Sequence, residues 1–292
     1  MNPIYEVFNN IGEFRKFVPG ISANLEFDEL SASGIAARKQ IQNIISYEIW
    51  LLIKNAEQVD NEDIPAKIYL KSAFGNLTMH KAVIFDVLSK RISGSGEVYK
   101  HELETMRRQY IDNYYNAMDS LISELSENEI FKSTWLETPD AKLLGDLQVK
   151  TTHEFNSYYG IDMSYLFFWR TISVQNEILL EGIDELFENV QDNDQHTRKL
   201  KLALVKWIVA IALQRFDIVE LPPTIRNLFD EQKSSRSGND EQNRILKLAG
   251  DLLTDAKSII QSVEIALTEP DTSDIVSETA LNKESDKFYF IP

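Results

Sequence analysis

The chain has 292 residues and a net charge of −16. A surface this acidic repels phosphate, which argues against a protein that binds nucleic acid tightly. DNA could still pass along such a surface without being bound. There is no cysteine, which excludes disulfides, thiolate chemistry and cysteine-ligated zinc.

Composition also narrows the fold class. Only 11 glycines and 8 prolines are present, which disfavours a loop-rich all-β fold. The N-terminus has no basic region followed by an apolar stretch, so no secretion signal is predicted. The longest apolar run, residues 202–213, contains Lys206 and is shorter than the ~20 residues that span a bilayer. We expect an all-α protein made in the cytoplasm, with no membrane partner.

Three helices are predicted in the first half of the chain. Residues 37–54 carry an amphipathic, isoleucine-rich stripe. Residues 65–84 are more uniformly apolar, and Pro65 suits the first turn of a helix. Over residues 103–125 apolar side chains recur every three or four positions, which predicts a long amphipathic helix.

The loop between the second and third helices is predicted to form a small β-hairpin. Its Gly-Ser-Gly turn, from Gly94 to Gly96, is flanked by the β-branched residues Ile92 and Val98. Surface loops often face partners, so Ile92, Gly94 and Gly96 are candidate partner-contact residues.

The second half repeats this helical pattern after a connector. Residues 127–152 lack a glycine- and serine-rich run, so they are interpreted as a packed connector. The loop before the last helix contains Pro222 and Pro223, both candidate contact residues, and then a polar stretch over 230–240. We allow for a second small hairpin in this loop. Helices are predicted over residues 172–190, 197–216 and 245–267.

The helical pattern stops after residue 267, and residues 268–292 form a polar arm. The arm carries an aromatic tip of Phe288, Tyr289 and Phe290. A polar segment with an aromatic tip is typical of a tail that docks, either on its own domain or on a neighbouring subunit. The three aromatic residues are therefore candidate contact residues.

Short segments recur in the same order along the chain, roughly 130 to 142 residues apart. This separation is about the size of one domain, and recurrence in order is the signature of an internal repeat. We predict two tandem, homologous helical-bundle repeats, residues 1–126 and 153–267. The matching segments are 13–21 with 154–161, 85–87 with 216–218, and 93–97 with 235–239.

No residue set for catalysis, a metal or a cofactor is predicted. His101 opens a segment like a zinc-protease helix, but the second histidine is absent. Asp192 opens a segment like a calcium loop, but Thr197 and Ala203 stand where glycine and glutamate are needed. We expect no cofactor and no enzymatic activity. A helical-bundle enzyme with a carboxylate site of unfamiliar pattern is the remaining enzymatic alternative.

Two aromatic clusters have two interpretations each. Tyr110, Tyr114 and Tyr115 lie together on one predicted helix, and residues 158–169 contain the second cluster. Aromatic clusters of this kind build interface hot spots, whereas their helical spacing is also that of side chains packed in a core.

Four segments carry a family resemblance. They are residues 154–161, the Ser-Gly turn before Glu97, the helix through Arg107, Arg108 and Tyr110, and the aromatic C-terminus after Asn282. In these segments the chain resembles an all-helical family of proteins of unknown function from Bacteroidetes and their phages and prophages. The resemblance implies a virion-structure protein built like phage head–tail connector (adaptor) proteins. Those form a ring under the portal, commonly about twelve-fold, with C-terminal arms that reach neighbours. It implies no catalytic residues.

Two functional hypotheses follow. The first is a virion structural protein, a head–tail connector that forms a ring with copies of itself between the portal protein and the tail or neck proteins. DNA would be passing cargo only, and the ring would lie in the virion neck after assembly in the host cytoplasm. The second is a cytoplasmic helical adaptor that binds one protein partner through an aromatic cluster or the C-terminal arm.

Overall fold

The computed structural model describes residues 2–21, 24–57, 63–92, 100–190, 193–230 and 238–268. In these ranges the chain forms α-helices joined by short turns and contains no β-strand, which confirms the prediction of an all-α fold. Two 3₁₀ turns (Phe27–Leu30 and Ile218–Glu220) and one π turn (Leu179–Ile183) occur as well. The α-helices are α1 (Ile4–Val7), α2 (Ile11–Phe17), α3 (Ser31–Ile45), α4 (Tyr47–Asn55), α5 (Pro65–Ile92), α6 (Lys100–Glu127), α7 (Glu129–Leu136), α8 (Pro139–Gly145), α9 (Thr152–Tyr158), α10 (Tyr165–Ile178), α11 (Asp184–Asn189), α12 (Asp194–Arg215), α13 (Pro223–Asp230) and α14 (Gly238–Thr268).

Two helices predicted as continuous are each broken by a residue with a left-handed backbone. Between α3 and α4, Ser46 has a φ of 74°, and its Oγ accepts a hydrogen bond from the N–H of Ile49 at 3.3 Å. Between α10 and α11, Gly182 has a φ of 107° within the π turn. A serine cap or a glycine ends one helix while the apolar stripe continues into the next. The predictions of unbroken helices over residues 37–54 and 172–190 are therefore wrong.

The antiparallel helices α5 and α6 form the largest packing contact of the first half. Asn113 Nδ2 donates to Asn76 Oδ1 at 3.1 Å, and the His80 ring lies 3.0 Å from the carbonyl oxygen of Arg107. Helix α5 continues to Ile92, eight residues past its predicted end. Residues 85–92 contain no glycine or proline, so each further residue adds a helical hydrogen bond at little cost.

This extension corrects part of the hairpin prediction. Ile92, the expected first flank of the hairpin, lies in the last turn of α5 instead. The remaining hairpin residues, including Gly94 and Gly96, lie outside the described residues.

The segment between the two predicted repeats is helical and packed. Helices α7 and α8 occupy most of it, and Phe131 and Trp135 of α7 are buried. Asn128 caps α7, since its Oδ1 accepts from the N–H of Ile130 at 2.9 Å. The segment between α8 and α9 adds the buried side chain of Val149 to the core.

The predicted loop around Pro222 and Pro223 contains less irregular structure than expected. Pro223 is the first residue of α13, a position that suits proline because no helical N–H is needed there. The carbonyl oxygen of Pro222 accepts from the N–H groups of Ile225 and Arg226, at 3.0 and 2.9 Å. Helix α14 begins at Gly238, inside the stretch predicted as polar loop. The described part of this loop contains no hairpin.

Buried apolar side chains from both halves form one continuous core. Helix α6 contributes to both halves, because it packs against α5 on one side and α10 on another. One feature recurs at matching places: Glu13 at the start of α2 is paired with Lys71 of α5, and Glu154 at the start of α9 is paired with Lys201 of α12 at 2.6 Å. The duplication and its domain boundaries stay predictions.

Candidate functional site

A small apolar pocket lies where α6, α7, α8, α9 and α10 meet. Its volume is about 280 Å³, and most of its wall is apolar. An apolar cavity of about 150 Å³ is large enough to bind a benzene ring. The pocket can therefore hold one or two ring-sized side chains. Its walls include Ile122, Trp135, Leu144, Tyr165, Phe168 and Trp169.

Two tryptophans stack in the wall of this pocket. The rings of Trp135 and Trp169 have their centroids 4.2 Å apart and are inclined by 29°. Both side chains are buried, and Nε1 of Trp169 has no hydrogen-bond acceptor within the described part of the chain. A buried donor without a partner costs about 1–3 kcal/mol, so this indole N–H lowers the stability of the pocket wall by about that amount.

The position of α10, which carries Trp169, is fixed from α6. Asp119 of α6 accepts hydrogen bonds from the N–H of Leu166 at 2.7 Å and from the hydroxyl of Ser164 at 3.0 Å. Burial raises the pKa of Asp119 to about 6, although these hydrogen bonds oppose the shift. The carboxylate thus caps α10 and joins the two predicted repeats.

A second contact fixes the chain that leads into α9. The buried side chain of Gln175 accepts from the N–H of Val149 at 2.8 Å and donates to its carbonyl oxygen at 3.1 Å. Thr151 then caps α9, since its Oγ1 accepts from the N–H of Glu154 at 3.0 Å. The pocket wall therefore rests on satisfied backbone hydrogen bonds.

The charged side chains of the pocket lie at its rim. Lys150, His153 and Glu127 line the opening and are exposed. Leu136, also at the rim, is 54% exposed although it is a large apolar residue. An apolar pocket with a few polar groups at its rim is typical of a binding site, and Leu136 adds apolar surface at the edge of this one.

An open groove of about 660 Å³ lies at the other end of α9. Ser157 and Tyr158 form one side, and the first turns of α12 form the other. Arg198 and Lys199 of α12 are exposed there, with Asp194 as the acidic residue of the lining. Helix α9 therefore connects a cationic groove to the apolar pocket.

The buried charges of the first half serve packing. Lys71 is 3% exposed and is hydrogen-bonded to Glu13 and Asp63. Burial alone would lower the pKa of Lys71, but these two carboxylates outweigh it and raise the pKa. Lys71 is thus a charged anchor between α2 and α5.

The tyrosines of α6 are better explained as core side chains than as an interface hot spot. Tyr110 and Tyr114 are buried, and the hydroxyl of Tyr110 donates to the carbonyl oxygen of Pro19 at 3.0 Å. Burial raises the pKa of Tyr114 and Tyr115. In the second cluster, Phe168 and Trp169 are buried and also line the pocket.

The contact residues expected from sequence do not meet at this pocket. Pro222 is buried and Pro223 is exposed at the start of α13, and neither lines the pocket. The backbone of Ile92 ends α5. The other candidates, Gly94, Gly96, Phe288, Tyr289 and Phe290, lie outside the described residues.

The pocket itself was not predicted. The tryptophans at positions 135 and 169 were each visible, one in the connector and one in an aromatic run, but no spacing rule links them. A signal was present in the connector, because a tryptophan in a polar segment usually marks a packed surface.

The described residues form neither a metal site nor a membrane-spanning segment. Within the described ranges, no three histidine or acidic side chains come together as metal ligands. None of the helices described has the length and apolar character needed to cross a bilayer. No family model matches this chain, and no curated protein or solved structure is significantly similar to it.

Proposed function

We infer that this protein is a helical assembly protein that binds other protein segments, and that it acts as a head–tail connector in a phage particle. The observation that carries the first part is the apolar pocket with its stacked tryptophans and the exposed Leu136 at its rim. Its charged residues lie at the opening, so the pocket offers burial to an apolar side chain. Binding through such a pocket is how a structural protein holds a partner.

The connector role is supported by the charge of the chain and by the family resemblance. The net charge of −16 would let DNA pass without being held, because like charges repel. In this proposal, copies of the chain form a ring of about twelve, which contacts the portal protein on one face and tail or neck proteins on the other. The helical build suits a ring, since exposed helix faces can pack against neighbours.

Quantitative mass spectrometry of purified particles tests the connector role directly. A copy number close to that of the portal protein is expected if the chain forms a ring in the neck. A copy number close to that of the capsid protein, or absence from particles, would contradict the connector role. Absence would favour the alternative of a cytoplasmic adaptor that uses the same pocket for a single protein partner.

Substitution in the pocket tests the more general claim of partner binding. Ala141 lines the pocket and is half-buried, so Ala141→Phe would fill it from the wall. The variant should lose partner capture from particle lysates while its melting temperature stays close to that of the wild type. Unchanged capture by a folded A141F protein would refute the role of the pocket. Ile35→Phe, an exposed position on α3, is the matched control.

A further inference from the structure

We propose that the pocket is occupied by the aromatic tip of the chain's own C-terminal arm, Phe288, Tyr289 and Phe290. This inference deepens the function proposed above and rests on the same pocket. The chain's own tip fills the pocket in the free protein, and a partner segment that binds there must displace it. Four observations support the proposal: the chemistry of the pocket, the place where α14 ends, the length of chain beyond it, and the charge along the path.

The pocket has the chemistry that an aromatic tip needs. Trp135, Phe168 and Trp169 present ring surfaces, and aromatic pairs gain energy beyond the area that they bury. The volume of about 280 Å³ accommodates one or two rings.

Helix α14 ends close to the groove beside α9. It packs along α12, and Lys206 of α12 is paired with Asp255 of α14 at 2.9 Å. We take α14 to run antiparallel to α12, as neighbouring helices of an up-and-down bundle do. From Asp255 to the last residue of α14 is about 20 Å, and from Lys206 back to Asp194 is about 18 Å, at 1.5 Å per helical residue. The end of α14 therefore lies level with the start of α12, which forms one side of the cationic groove.

The arm is long enough to reach the pocket from there. Nineteen residues lie between Thr268 and Phe288, and an extended chain can cover roughly 65 Å over that distance. Helix α9, which separates groove from pocket, has seven residues and is about 10 Å long. The extended arm is therefore several times longer than the helix that it must pass.

Charge along this path complements the arm. Residues 269–287 contain six acidic residues and two lysines, so their net charge is −4. The path passes Arg198, Lys199, His153 and Lys150, all exposed, in a protein that is acidic overall. Asp194 and Glu127 also lie there, whereas Glu154 is neutralised by Lys201 at 2.6 Å. Arg198, Lys199 and Lys150 outnumber the two remaining acidic residues by one, so this path is less repulsive to the acidic arm than the rest of the surface.

The arm of the same chain has an advantage over the arm of a second copy. A tether of this length holds the tip near its pocket at an effective concentration on the order of millimolar. At micromolar protein, a tip from another molecule is about a thousandfold more dilute. Docking within one chain is therefore the arrangement that we propose.

Engineered cysteines test this arrangement cleanly, because the chain has none of its own. Ile291→Cys places a thiol beside the tip and leaves its three aromatic residues intact. It is combined with Leu136→Cys at the pocket rim, or with His153→Cys as a second rim position. The control combines Ile291→Cys with Ile35→Cys, since Ile35 is 55% exposed but lies on α3, away from the pocket.

Mild oxidation of the full chain should then give an intramolecular disulfide in at least one rim variant. We expect it to form at least about tenfold faster than in the control, on the basis of the effective concentration. Equal rates in rim and control variants would overturn the proposal. A dimeric product from the rim variants at micromolar protein would also overturn it, in favour of docking between copies.

A second measurement requires no cysteine. Phe288→Ala, Tyr289→Ala and Phe290→Ala together should empty the pocket and increase quenching of tryptophan fluorescence by acrylamide. Adding a synthetic peptide of residues 284–292 should reverse the increase. No change in quenching in the triple variant would contradict occupation of the pocket, even if the particle experiment gave a portal-like copy number.

Discussion

Replacing Lys71 with methionine tests how strongly the buried charges hold α2 and α5 together. Lys71 is 3% exposed, and its ammonium is hydrogen-bonded to Glu13 and Asp63. Methionine keeps an apolar stem but removes the charge. Asp63 keeps Lys67 at 3.7 Å, whereas Glu13 loses its lysine.

The expected loss of stability follows from the burial of the two carboxylates that pair with Lys71. Removing one member of a buried ion pair costs about 3–5 kcal/mol, because the remaining charge is left uncompensated. The side chains of Glu13 and Asp63 are 17% and 12% exposed, so solvent partly screens the remaining charges and reduces that cost. We expect Lys71→Met to lower the free energy of unfolding at pH 7 by about 3 kcal/mol, the lower end of that range.

The difference should depend on pH. Burial alone would raise the pKa of Glu13, but hydrogen bonds from Lys71 and from the N–H of Asn9 outweigh it and lower the pKa. This carboxylate therefore contributes stability above its ordinary pKa of 4.5, and the contribution is lost as pH falls through the lowered value. The raised pKa of Lys71 contributes stability below 10.5, and this is lost at higher pH. The deficit of the variant should be largest between these limits and shrink in acid.

Urea unfolding followed by circular dichroism at neutral and acidic pH measures both effects. Lys132→Met is the matched control, because Lys132 is 43% exposed and its pair with Glu129 lies at the surface. It should cost less than about 1 kcal/mol. A Lys71→Met protein within that margin of the wild type at pH 7, or with a deficit that persists in acid, would refute the argument.

Three further substitutions probe packing and the pocket wall. Gly75→Ala should destabilise the protein by about 1–3 kcal/mol in thermal unfolding, because a Cβ there would lie 2.5 Å from Cγ2 of Val18. Helix propensity alone predicts a gain in stability, and such a gain would contradict the crowding. Gln175→Leu should cost about 2–3 kcal/mol, since both polar groups of Val149 lose their buried partner, and a cost below 0.5 kcal/mol in urea unfolding would mean that water replaces it. Burial raises the pKa of Asp119 from 3.8 to about 6, so ionisation of this carboxyl lowers the free energy of unfolding as pH rises through that interval. Asp119→Asn should flatten the plot of unfolding free energy against pH between these values. An unchanged plot would argue against the shift.

Periodicity predicted the long helices well because their apolar faces are continuous. The stripes over 103–125 and 245–267 correspond to α6 and α14, and the apolar stretch around 197–216 forms the buried helix α12. In each, burial of one face against neighbouring helices supplies the stability, and the pattern of apolar residues reports that burial directly.

Breaks and junctions were harder to predict for a physical reason. The apolar stripe continues across Ser46 and across Gly182, so the period carries no sign that the backbone turns there. The pocket depends on the angle at which α7 leaves α6, which brings Trp135 onto Trp169 across 34 positions of sequence. Such a contact is decided by tertiary packing and not by local propensity.

The placement of α6 between α5 and α10 has a consequence for synthesis on the ribosome. Until residues 165–178 emerge, the face of α6 that will meet α10 has no cover, and Asp119 has no helix to cap. At 5–20 residues per second, the interval between the end of α6 and the end of α10 lasts on the order of seconds. During that time Ile122 and its apolar neighbours are open to chaperones and to other nascent chains. Slower translation of residues 127–152 would therefore raise the yield of aggregated product.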